Sequence, residues 1–138
     1  KHVQRLYLAP GTAKKLIINL ISFGYRFGLP PDADIVLDVR FLPNPHFVKG
    51  LRDCNGNEKA VESYVMDWDE TREFLVRLTE LMTFLVPLYE KEGKSYLNIG
   101  IGCTGGKHRS VVILNQLARY FADKDYTTNV SHRDIDRV

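Results

Sequence analysis

Two cysteines, Cys54 and Cys103, are too few to staple a secreted disulfide framework, and they stand in no CxxC pair and no His/Cys cluster with zinc spacing. That excludes a disulfide-built mini-domain, proposes no metal site, and makes a reducing cytoplasm the expected compartment. Long hydrophobic runs are also missing. The stretch "LIINLIS", Leu16 to Ser22, falls far short of the roughly 20 apolar residues that cross a bilayer, so neither a membrane span nor a signal peptide is expected. Nor does charge of one sign dominate: a formal net charge of +2 does not mark the whole chain as a nucleic-acid binder, and only a local patch would do so. Internal repeats, low-complexity tracts and long linkers are absent.

Against those absences, 44% hydrophobic and 26% charged residues make an ordinary soluble globule. At this length one compact domain, residues 1–138, is expected, because two cores of half the size would each be marginal. The chain opens on Lys1 and stops at Val138 in a polar, charged segment, so a piece of a longer protein is expected.

Short Ile-rich runs predict buried strands at Leu16–Ser22, closed by Gly24 and Gly28, and at Ile35–Phe41, closed by the turn Pro43 to Pro45. A third, "SYLNIGIG" at Ser95–Gly102, runs straight into a glycine-rich loop. Between the second and third, Phe74, Leu75, Leu78, Met82, Leu85 and Leu88 or Tyr89 recur at helical spacing. Asp67 with Glu70 predicts a capping box for this helix, Gly93 its stop, and Pro87 a kink or an end near its last turns. A shorter helix is expected over Glu58–Met66. Another should start at the glycine loop, with Val112, Ile113, Gln116, Leu117, Tyr120 and Phe121 on one mainly apolar face. The fold class is α/β: a small mixed or mostly parallel sheet flanked by helices, with a strand-loop-helix anion-binding motif. Ligands of such sheets gather beyond the carboxyl ends of the strands, which singles out "SFGYRFG", "DVRFLPNPH" and "GCTGGKHRS".

In "IGCTGGKHRSV", Gly105 and Gly106 let the backbone approach a ligand, and the following helix presents unpaired N–H groups to an anion. Lys107, His108 and Arg109 add positive charge. Arg109 can grip phosphate through two parallel hydrogen bonds, while Thr104 and Ser110 can donate from their hydroxyls. The same positions match the Cys-x5-Arg-Ser/Thr pattern of protein tyrosine phosphatases, with Cys103 as nucleophile and Arg109 beside it. There the helix N-terminus and the arginine would favour thiolate. Two features oppose that alternative. Gly102 stands where those enzymes carry His, and Asp38 and Asp53, the candidate acids for a leaving group, lie in no motif that assigns the role. A packed cysteine beneath a phosphate-binding loop is the preferred reading, with no catalytic residue and no cofactor in this domain.

In "LDVRFLPNPH", strand alternation predicts Asp38 and Arg40 on one face, and His46 returns after the proline turn. Such a pair is commonly a structural ion pair. Beside a phosphate loop, Arg40 can hold a second edge of an anion, Asp38 can accept from a sugar hydroxyl or amino group, and His46 can do either. "SFGYRFG" reads as a turn whose aromatics complete the core, or as a wall of the pocket. The tail "SHRDIDR" echoes a kinase HRD by chance, since no glycine-rich nucleotide loop or DFG accompanies it. Its Arg133 and Arg137 are solvated or, with Lys107, touch nucleic acid.

With "SFGYRFGLPPDADIVLDVRFLPNPH" and "YLNIGIGCTGGKHRSV" in order, the chain resembles the C-terminal domain of the RapZ/YvcJ family over most of its length, and "LTELMTFLVPLYEKEGKSYL" between them looks similar too. The resemblance implies a two-domain protein whose N-terminal P-loop domain binds nucleotide. No GxxxxGK[ST] occurs here, so ATP or GTP binding, and any hydrolysis, would belong to that other half. For the enterobacterial branch it implies an RNase adaptor, a homo-oligomer when intact, that binds small regulatory RNA and senses glucosamine-6-phosphate. The phosphosugar positions implied are Asp38, Arg40 and His46 on one side. On the other are Thr104, Gly105, Gly106, His108, Arg109 and Ser110. The chain departs from that branch in "LRDCNGNEKAV", where Leu-Arg-Pro-Leu-Thr-Gly is more usual, and in lacking a strong Lys/Arg cluster at its end, so RNA is the weaker expectation.

Overall fold

The computed structural model describes residues 16–137. Strands β1 (Ile17–Gly24), β2 (Ile35–Asp38), β3 (Tyr96–Cys103) and β4 (Thr128–His132) form one sheet in the order β2-β3-β1-β4. Every neighbouring pair is parallel. Parallel neighbours need crossovers, and helices supply two of them. α1 (Lys59–Met66) and α2 (Asp69–Glu92) lie between β2 and β3, and α3 (Arg109–Asp123) lies between β3 and β4.

Alternation along the strands builds the core. Ile18 and Leu20 of β1 and Leu97, Ile99 and Ile101 of β3 pack with Val61 and Val65 of α1, Met82 and Val86 of α2, and Ile113, Leu117 and Phe121 of α3. One row of the alternate positions carries polar side chains. Asn19, Asn98 and Asn129 stand abreast on β1, β3 and β4. They pass hydrogen bonds along the row, Asn129 Nδ2 to Asn19 Oδ1 and Asn19 Nδ2 to Asn98 Oδ1, each 2.9 Å.

The elements differ from the sequence expectation at four places. β4 was not anticipated: "TNVSH" is an edge strand with no apolar run, and its place is set by pairing with β1 and by a polar clamp. In that clamp Asn115 Nδ2 donates to Asn57 Oδ1 at 2.8 Å, so Asn115 Oδ1 accepts from His132 Nε2 at 3.1 Å. The neutral imidazole then accepts a hydrogen bond at Nδ1 from the hydroxyl of buried Ser22, 2.7 Å away. Second, β2 stops at Asp38 rather than Phe41, because the Asp38 carboxylate accepts from Arg40 N at 2.9 Å and turns the chain. Third, no capping box forms. Trp68 is the N-cap of α2, without a side-chain cap bond, and Asp67 instead closes α1. Fourth, Pro87 lies inside α2 without ending it, since burying Met82 and Val86 offsets one missing N–H, and the helix closes at Gly93 as expected.

Register decides where the chain exits meet. Gly24 lies opposite Cys103 and Asp38 opposite Gly102, so the loops after β1, β2 and β3 leave the same end of the sheet as neighbours.

A cationic cleft at the start of α3

β3 ends at Cys103, the loop 104–108 turns, and α3 begins at Arg109. The turn requires glycine where two backbones touch. Gly106 has φ +77, and a Cβ there would stand 2.6 Å from Gly24 N; one on Gly24 would stand 2.4 Å from Gly105 C. Gly24 N donates to the fully buried Asp134 at 2.8 Å, and Arg26 N donates to Thr104 O at 3.2 Å. The glycine loop is therefore packed against the end of β1 and hydrogen-bonded by the turn that follows it. His108, the N-cap of α3, makes no side-chain cap bond, and the first turn carries no acidic residue. The amides and the positive end of the helix dipole are open to an anion.

They open into a cleft of about 730 Å³. The basic side chains lining it are Arg26, Arg40, Arg52, Lys107, Arg109 and Arg137, and its one carboxylate is that of Asp53. Thr104, Gly105 and His108 belong to the loop side, while Asn44, His46 and Phe47 stand on the segment after β2.

Arg109 is 5% exposed and forms no ion pair among the described residues. Its Nη1 donates to Arg40 O at 2.6 Å and Leu42 O at 3.1 Å, and Nη2 reaches Thr104 Oγ1 at 3.5 Å. Its Nε is buried without a partner. Burial holds its pKa below the ordinary guanidinium value, opposed by the nearby Cys103 and Asp38. The two-pronged grip expected of Arg109 is not free in this arrangement, because one prong already holds the chain after β2. What it contributes at the floor is a desolvated positive charge with an unused donor.

Asp38 and Arg40 do meet, but through the turn rather than strand alternation. Arg40 Nη2 lies 2.7 Å from Asp38 Oδ2, and Nε bonds both carboxylate oxygens at 3.0 Å. That hydrogen bonding holds the Asp38 carboxyl below its usual range. Arg40 also stacks 4.0 Å from the Tyr25 ring centroid and lines the cleft, whereas Asp38 stays outside it. His46 lines the cleft, its N–H donating to Asn44 Oδ1 at 3.0 Å. Gly106 and the fully buried Ser110 support the loop from behind. Cys103 is 3% exposed at the floor, its Sγ 3.1 Å from Ser110 Oγ.

His108 Nε2 donates to Arg52 O at 3.2 Å, and burial pushes its imidazole pKa down. Of the proposed nucleic-acid contacts, Lys107 and Arg137 line the cleft. Arg133 is committed elsewhere, to Asp134 at 2.8 Å and Gly28 O at 2.6 Å. No His/Cys/Asp/Glu group able to hold a metal ion occurs among the described residues, and no helix there is long and apolar enough to cross a membrane.

Sequence reasoning missed Arg26, Arg52 and Asp134 as named parts of the site. Arg26 lies in "SFGYRFG", already a candidate wall. Arg52 lies in no motif, and Asp134 lies in a tail that looked solvated yet anchors Gly24.

The RapZ C-terminal domain family matches residues 16–136. A nucleotide-binding protein of Bacillus licheniformis is 56% identical over 120 residues, covering 87% of this chain and 40% of that protein. The nucleotide-binding protein YvcJ of Bacillus subtilis is 49% identical over 131 residues, covering 95% of this chain and 44% of that protein. A nucleotide-binding protein of Thermoanaerobacter sp. is 49% identical over 135 residues, 98% of this chain and 48% of that protein. The chain thus spans less than half the length of these relatives.

Proposed function

This chain belongs to the RapZ C-terminal domain family, and we propose that its cleft is a non-catalytic regulatory site for a phosphorylated metabolite, an amino-sugar phosphate such as glucosamine-6-phosphate. The observation that carries the reading is the uncapped N-terminus of α3 with the charge of buried Arg109 beneath it, in a cleft with one carboxylate among its basic side chains. A phosphate monoester brings roughly −1.5 to −2 of charge and three strong acceptor oxygens, which matches those unused donors. The segment at Asn44, His46 and Phe47 supplies hydrogen-bonding groups and an exposed aromatic face for the rest of a sugar. In the intact protein, Lys107 and Arg137 at the cleft contribute to small-RNA binding and RNase-adaptor function. The nucleotide named in the relatives is bound outside the segment described here, which has no GxxxxGK[ST].

Isothermal titration of this chain with glucosamine-6-phosphate should give saturable binding that inorganic phosphate displaces and salt weakens. No heat with this ester or with inorganic phosphate would remove the reading. A second reading, a phosphatase using Cys103, is favoured by the position of the thiol on the cleft floor ahead of Arg109. It requires phosphomonoester turnover that disappears in Cys103→Ser, whereas the regulatory reading expects binding without turnover.

A further inference from the structure

We propose that β4 is a pairing edge, along which two copies of this chain join antiparallel, about a two-fold axis at Val130, into one continuous sheet. β4 ends the strand order and pairs with β1 alone among the described strands. Ile18 N donates to Thr127 O at 2.9 Å and Arg133 N to Ser22 O at 3.0 Å, with Ile18, Leu20 and Ser22 in register with Thr128, Val130 and His132. In a parallel ladder of that phase Asn129 and Ser131 turn their N–H and C=O groups toward β1, while Thr128, Val130 and His132 turn theirs outward. Among the described residues no backbone hydrogen bond uses those outward groups.

The edge lacks the groups that keep exposed strands apart. "TNVSH" holds no lysine, no carboxylate and no proline, and Val130 at its centre is an exposed apolar side chain. Its outward groups are also self-complementary. With Val130 opposite its own copy, Thr128 falls opposite His132 of the second copy, so all three outward residues of each strand enter hydrogen-bonded pairs. The intervening pair is Asn129 with Ser131 of the second copy, on the sheet face away from the helices. Asn129 Nδ2 is committed to Asn19 Oδ1, so Asn129 Oδ1 is the atom that accepts from that serine hydroxyl and carries the asparagine row across the axis. The helices then cover the same face in both copies, and the two clefts open at opposite ends of the joined sheet, where neither blocks the other. Leu81, Phe84 and Leu88 expose a second apolar stripe on α2, but nothing there fixes a register for a partner.

Sedimentation velocity of the 138-residue chain over a range of concentrations should show a monomer–dimer equilibrium. Val130→Lys sets two like charges face to face on the axis, and it should be monomeric at concentrations where wild type is mostly dimer. Its circular dichroism should match that of wild type, since the side chain it replaces is exposed. Val130→Cys gives a readout that does not depend on tolerating a charge. Residues facing each other in a hydrogen-bonded pair stand about 5.5 Å apart at Cα, within disulfide reach, so this variant should cross-link to its own copy under mild oxidation. Thr128→Cys, on the same edge but roughly 13 Å from its counterpart, should not exceed the background set by Cys54 and Cys103 in wild type. A wild-type chain that stays monomeric overturns the proposal. A dimer that survives Val130→Lys also overturns it and seats the second copy elsewhere, as on the α2 stripe. Cross-linking of Thr128→Cys as readily as Val130→Cys refutes the register, and with it the two-fold pairing at Val130.

Discussion

Replacing Gly105 by alanine separates binding at the glycine loop from the stability of the loop. A Cβ built on Gly105 meets no atom within 4 Å, and the residue lines the cleft. Its φ is outside the left-handed region, so alanine fits the backbone and should leave the free protein as stable or slightly more stable. The methyl group occupies space a phosphate oxygen needs beside the loop amides. With ligand at about 100 times its dissociation constant, wild type gains about 2.7 kcal/mol, a rise of about 8 °C in midpoint for a domain of this size. A tenfold loss of affinity cuts the gain to about 1.4 kcal/mol and a hundredfold loss to about 0.4 kcal/mol, so the shift in Gly105→Ala should fall to about 4 °C or less. Differential scanning fluorimetry with glucosamine-6-phosphate reads both numbers. Gly106→Ala is the contrasting control: with φ +77 and a Cβ 2.6 Å from Gly24 N, it should lose stability without ligand. Refutation would be a Gly105→Ala protein that keeps the full ligand shift, for then phosphate does not sit on this loop.

Arg109→Ala should cost about 3 kcal/mol in urea unfolding even without ligand, because Arg40 O and Leu42 O each lose a buried charged donor; an unchanged midpoint would contradict its role as a strut. Asp134→Asn should cost a similar amount, about 3 kcal/mol, by removing the buried charge that Gly24 N, Arg133 and Arg137 share, and hydrogen exchange should rise at Gly24. Burial holds the His108 and His132 imidazoles below their ordinary value, so the unfolded chain binds protons more readily. Stability from this source is whole above about pH 6.5 and is lost as pH falls toward the folded values. His132→Gln should flatten part of that slope in urea titrations at several pH values, and a wild-type stability independent of pH between about 7.5 and 5.5 would refute the linkage.

Much of the frame was legible because local signals decide it. Leu16 to Ser22 and Ser95 to Gly102 announce strands by their short Ile-rich runs, and the 3.6-residue spacing through Leu78 and Met82 announces α2. Glycines followed at once by an apolar helix mark a strand-loop-helix motif before any coordinate is known. β4 escaped because an edge strand of polar residues is defined by its partner, here β1 and the Ser22 to His132 bond across 110 positions of sequence. Arg109 was recognised as a cation of the loop, but its occupation by two carbonyls 67 and 69 residues away was not readable from neighbours in sequence.

The amino-acid sequence by itself determined the α/β class, the glycine turn and the basic residues that follow it, since these depend on side-chain period and backbone freedom within a few residues. Only the tertiary structure decided that Arg26, Arg52, Arg137 and Asp53 face one cleft and that Asp38 stays outside it. Charge placement across a cleft depends on register and on hydrogen bonds between distant turns, and neither leaves a periodic trace in the chain.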